Sequence, residues 1–210
     1  MRETSTNRAR AFAGALGALT LFALALAVTV AGAGVASEPA DVIGQGPGGS
    51  VVSDDGATLQ RSGSGLSAKL KMPTPEPGTY AYPPAQTVPF PFPAAVPGHP
   101  EAYSLWMFVF NYPALCSAPC DSNDLGVTAP ARGGAFNVAG HVAGGPNLSF
   151  AGHVSVNSTP FGGSMLLEPR TAEVHFAVAP HGKLDPALLP DQITKPIGNP
   201  AFWWSAIFIP

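Results

Sequence analysis

Leu66-Ser67-Ala68-Lys69-Leu70-Lys71-Met72 alternates apolar and polar side chains without a break. A two-residue period is that of a β-strand, whose successive side chains point to opposite faces, so this segment buries one face and wets the other. The pattern returns downstream. Phe136, Val138 and Val142 share one parity against Asn137 and His141. Leu148, Phe150, Val154 and Val156 oppose Ser149, His153 and Ser155, and Val174, Phe176 and Val178 oppose Glu173 and His175. Gly144-Gly145-Pro146-Asn147 predicts a hairpin turn between residues 135–143 and 148–156. Tyr103 to Phe110 is apolar on both parities and reads as a central strand covered on both faces. Phe202 to Ile209 reads as a buried strand that closes the chain.

Towards the N-terminus, Val51-Val52-Ser53 and Ala57 to Ser62 read as extended segments around a turn at Asp54-Asp55-Gly56. Helical spacing of apolar residues never persists for three turns, and Leu184 to Leu189 has room for a single helical turn. The 24 glycines and 24 prolines point the same way, because both are disfavoured inside helices. Seven or eight short strands between such turns predict an all-β fold, an antiparallel β-sandwich or barrel-like domain. Residues 73–100 interrupt it. Ten of those 28 positions are proline, which predicts a polyproline-type surface insertion carrying Tyr80, Tyr82, Phe90 and Phe92.

Domain organisation follows from composition. Arg2, Arg8 and Arg10 precede an uncharged apolar run from Ala11 to about Ala36 that ends in small residues, Gly34-Val35-Ala36. A charged head, an apolar middle and a small-residue exit predict a secretory signal peptide over residues 1–36. The run is also long enough to span a bilayer, so the alternative is an uncleaved anchor, the one case in which a membrane is a partner. Residues 37–49, rich in Gly and Pro, read as a flexible lead-in, and residues 50–210 as a single β domain. Both forms place the domain outside the cytoplasm, secreted or in the cell envelope. Three of the ten basic and one of the thirteen acidic residues lie in the first 36, which leaves seven against twelve. That acidic balance excludes nucleic acid as a partner, since phosphate binding needs clustered Lys and Arg.

Cys116 and Cys120 are the only cysteines, and in an oxidising compartment such a pair predicts a small-loop disulfide. A redox or metal-binding pair is the competing reading. Three intervening residues depart from thioredoxin-like spacing, and a zinc site needs further ligands nearby.

Two segments, SLWMFVFNYPALCSAPCDSNDL (104–125) and AEVHFAVAPHG (172–182), resemble a family of uncharacterised secreted bacterial proteins. Such proteins share a Leu-Trp strand, an Asn-x-Pro turn, two cysteines and an Ala-Glu-Val-His strand, and DGATLQRSGSGLSAKL (55–70) fits the pattern upstream. Tyr112 stands where that family has a second Asn. The AEVH strand is also distantly similar to CHRD domains, which are β-rich extracellular modules. The resemblance implies fold class and location, and carries no activity.

The catalytic signatures are missing. No Gly-x-Ser-x-Gly elbow precedes a helix, and no glycine-rich stretch carries the lysine of a phosphate-binding loop. The sharpest chemical reading is a transition-metal site. Glu173 and His175 share a strand face, and a turn at Pro180 would fold His181 back towards them; imidazole and carboxylate together suit zinc, copper or iron. His141 and His153 also face outward by parity, but opposed across the predicted hairpin they stand four residues out of register, about 13 Å apart. Trp106, Trp203 and Trp204 lie in apolar strands, where core packing competes with a carbohydrate platform. The expected function is a non-catalytic binding or structural β-domain for an extracellular or cell-envelope ligand. The alternative is a metal-binding protein or metal-dependent enzyme using the outward His and Glu.

Overall fold

The computed structural model describes residues 36–44, 48–76, 99–117, 119–195 and 203–210. The predicted signal peptide, all but residue 36, and most of the proline-rich insertion lie outside them. Nine strands follow in chain order: β1 (Ser37–Gly44), β2 (Val51–Arg61), β3 (Gly65–Pro73), β4 (Glu101–Phe110), β5 (Gly133–Val142), β6 (Asn147–Ser155), β7 (Gly162–Gly163), β8 (Glu173–Lys183) and β9 (Trp204–Phe208). One α-helical turn, α1 (Asp191–Thr194), and three 3-10 turns, Pro113–Leu115, Ser122–Asp124 and Pro186–Leu188, accompany them among the described residues. All strands belong to one antiparallel sheet in the order β6-β3-β2-β1-β9-β8-β4-β5-β7. A single curled sheet, a half-barrel, selects the barrel-like member of the sequence-based alternatives over the sandwich.

The concave face is filled with side chains. Leu66, Ala68, Leu70 and Met72 of β3 point into it, as their alternation requires, and meet Leu148, Phe150 and Val154 from β6. From the other half come Tyr103, Leu105, Met107 and Val109 of β4 with Val174, Phe176 and Val178 of β8. Strand β4 is buried along nearly its whole length. Its second face carries Trp106, covered edge-on by Phe161 at 5.6 Å, and Phe110, which packs on the His175 ring at 5.1 Å.

Three expectations are corrected. Residues 37–44 are a strand and not a lead-in: Ala40 and Val42 reach the core, and the domain begins at β1 rather than at residue 50. Pro39 is tolerated because β9 pairs only with Ile43 and Gly44, which leaves β1 an open edge at the proline. Asp54-Asp55-Gly56 is a bulge inside one continuous strand, since Ala40 pairs with Ala57 but Val42 already pairs with Ser53, and Asp55 takes φ +46°. Finally, β5 and β6 are joined by the predicted turn but form no ladder with each other. β5 pairs with β4 and β6 with β3, so the turn bridges the two ends of the curled sheet.

Those ends come close without bonding. A Cβ built on Gly152 of β6 would lie 2.5 Å from the Val138 carbonyl oxygen of β5, so only glycine fits the seam. Gly152→Ala is expected to cost about 1–3 kcal/mol in urea unfolding, the usual effect of overpacking. Gly144→Ala, where nothing lies within 4 Å of the added carbon, should stay within about 0.5 kcal/mol of wild type. Equal effects at the two positions would show that the seam is not tightly packed.

Candidate functional site

The Glu173–His175 pair forms as its parity predicts, on the convex side of β8. His175 Nε2 lies 2.6 Å from Glu173 Oε1, with both side chains mostly buried beside Phe110. His181 does not join them. Pro180 lies inside β8 and makes no turn; the strand runs on to Lys183, with an extra residue opposite β4 between Tyr103 and Glu101. Gly182 takes φ +75° within that bulge. Six residues of strand put His181 about 20 Å from His175. The proposed ligand set Glu173, His175 and His181 is therefore divided between two places.

His181 instead belongs to a sealed polar network. Its Nε2 lies 2.6 Å from Ser104 Oγ, and Trp106 Nε1 donates to that same oxygen at 2.7 Å. An indole only donates, so the hydroxyl accepts from Trp106; with a second lone pair and its own proton, it bonds His181 Nε2 in either tautomer. A serine–histidine contact is the core of nucleophilic hydrolases, yet Ser104 and His181 are both 0% exposed, beyond the reach of a substrate carbonyl. Gln192 of α1 holds the adjoining backbone, donating to the His181 and Lys183 carbonyls at 3.2 and 2.8 Å.

The other candidates separate in the same way. His141 faces Tyr103 across the ladder and packs on Phe150 at 5.6 Å. It was expected to face outward, but a bulge opposite Leu105 and Trp106 shifts the parity of β5 and turns it towards the core side. Its register with His153 is lost too, because the two histidines lie on unpaired strands. His153 does face outward, with Nδ1 3.0 Å from Ser67 Oγ. Trp106 is buried and Trp204 packs on Tyr103 at 6.2 Å, so neither offers a carbohydrate platform.

The accessible chemistry lies on the convex face of β2, β3 and β6. Thr58, Lys69, Lys71 and Ser149 stand around an open groove of about 590 Å³ beside the Asp54–Asp55 bulge. A second recess, about 350 Å³, opens at the end of β4, where Tyr103 Oη donates to the buried Glu101 carboxylate at 2.8 Å. The cysteines form the expected disulfide, Cys116–Cys120, a bond typical of extracytoplasmic proteins. Among the described residues no helix is long and apolar enough to cross a membrane.

No family model, curated protein or solved structure matches this chain. The site therefore rests on its own geometry.

Burial gives His181 a measurable signature. Desolvation lowers its pKa from 6.5 to about 3. As pH falls below 6.5 the unfolded chain takes up a proton that the folded chain refuses, so this contribution is complete above 6.5 and is lost towards pH 3. The slope reaches about 1.4 kcal/mol per pH unit. Urea unfolding between pH 7.5 and 4.5 should show a shallower loss for His181→Gln than for wild type, by about one proton. Parallel curves would mean that other groups govern the acid response.

Proposed function

We propose that this chain is an extracytoplasmic binding or structural module and not a catalyst, and that it engages a polar cell-envelope ligand through the convex face of β2, β3 and β6. The observation that carries this reading is the contrast between the two halves of the sheet. Ser104 and His181 bond to each other in the interior, and Glu173 and His175 form a second, mostly buried pair. Lys69, Lys71 and Ser149, by contrast, stand exposed on neighbouring strands around an open groove, with the exposed His153 on the same face of β6. Polar sheet faces of this kind bind through hydrogen bonds and charge, with rim lysines steering the encounter. The small-loop disulfide and the apolar N-terminal run support the location.

Co-sedimentation of the purified protein with isolated cell envelopes tests the reading. Lys69→Glu combined with Lys71→Glu is expected to reduce retention at least about tenfold, the equivalent of about 1.4 kcal/mol, with an unchanged melting temperature. Ser104→Ala should leave the retention of folded protein intact. Equal retention of the lysine variant would remove the groove from the interaction, and no retention of wild type would remove the envelope as the partner.

A further inference from the structure

The turn that follows the disulfide loop brings up a third donor that the spacing of the cysteines did not supply. A carboxylate oxygen of Asp124 lies with the sulfurs of Cys116 and Cys120 in a cluster whose members are all within 4.8 Å of one another. Asp124 is 6% exposed. Its Oδ2 accepts the Asp121 N–H at 3.0 Å in the capping box of the turn Ser122–Asp124, whereas Oδ1 takes part in no hydrogen bond among the described residues. A mostly buried carboxylate held beside two sulfurs, with one oxygen outside the capping hydrogen bonds, is a donor arrangement.

We propose that Cys116, Cys120 and Asp124 form a zinc site whenever the Cys116–Cys120 bond is open, so that the loop is cross-linked either by sulfur–sulfur bonding or by a metal ion. Two thiolates and a carboxylate give a three-ligand tetrahedral set with a fourth position for water. Two sulfurs at about 2.3 Å from one zinc ion stand about 3.7 Å apart, a separation reached by rotating side chains whose Cα atoms are 5.0 Å apart. Thiolates select against calcium and magnesium, and the carboxylate favours zinc over copper(I), which thiolates alone satisfy.

The thiol state precedes the disulfide in every newly made chain, and a dithiol or phosphine regenerates it. Two electrons and two protons convert the bridge into two thiols while the reductant becomes a disulfide or, with oxygen from water, a phosphine oxide. Metal binding then releases the two thiol protons. Cys116 is only partly buried, so its sulfur is the one a reductant reaches. The proposal is independent of the groove on β2, β3 and β6.

The test uses the purified protein, reduced with a phosphine under anaerobic conditions and titrated with zinc against a chromophoric chelator. Cobalt(II) serves as the spectroscopic probe. One equivalent of zinc is expected in the reduced protein and none in the oxidised one, with a thiolate-to-cobalt charge-transfer band that Cys120→Ser removes. Asp124→Asn should weaken zinc by at least about tenfold, since changes outside the ligand shell already cost that much. Asp121→Ala, which removes the partner half of the capping box and leaves all three donors, should bind as wild type does. Absence of zinc from the reduced protein would overturn the site. Equal zinc affinity in Asp124→Asn and wild type would overturn the role of the carboxylate, as would weakening by Asp121→Ala to the same extent as by Asp124→Asn.

Discussion

The guanidinium of Arg61 joins two halves of a sheet that barely touch through their backbones. Strands β1, β2, β3 and β6 form one half, and β9, β8, β4, β5 and β7 the other. The ladder between them consists of two residue pairs, Ile43–Ser205 and Gly44–Trp204. Arg61 crosses that junction near its far end. Nε donates to both Glu38 oxygens at 2.8 and 3.0 Å, Nη1 to the carbonyls of Pro169 and Ala172, and Nη2 to the Phe208 carbonyl at 3.4 Å. A planar fork of fixed donors suits this task, because one side chain addresses several acceptors without losing its geometry. With Arg61 mostly buried, its charge is balanced by the half-exposed Glu38, and the carbonyls use directions that the ladder leaves open.

The concave face was legible because burial there follows a simple alternation. Leu66 to Met72 and Val174 to Val178 needed only their parity. The double-sided burial of Tyr103 to Phe110 was equally plain, since no polar residue but Ser104 interrupts it. What parity alone misses are bulges, which insert one residue and reverse every assignment beyond them. His141 and His181 were both displaced in this way. Strand β1 escaped for a different reason: only Ala40 and Val42 face the core over eight residues, too short a pattern to outweigh a proline and the glycines that follow. The partner of a strand is less legible still. The turn at Gly144–Asn147 is good local chemistry, but β5 and β6 each pair with a strand distant in sequence.

Chemistry was legible in pairs and not in sets. Glu173 and His175 meet because two residues on one strand share a face, and Cys116 and Cys120 meet because three residues separate them. Each further member came from tertiary structure. Ser104 reaches His181 across a bulged ladder, and Asp124 reaches the cysteines through a capped 3-10 turn whose start at Asp121 is readable only once the turn is known. The same fold that withdrew His181 from one cluster supplied Asp124 to another.

The pairing of β1 with β9 sets the order in which this molecule can be completed. Among the described strands, residues 37–44 come first in sequence and residues 204–208 last, and they are neighbours in the centre of the sheet. The β2–β3 hairpin is local in sequence, but the half-barrel cannot close until β9 docks on β1. Contacts of such long sequence separation slow folding, because loop closure must precede the burial that stabilises it.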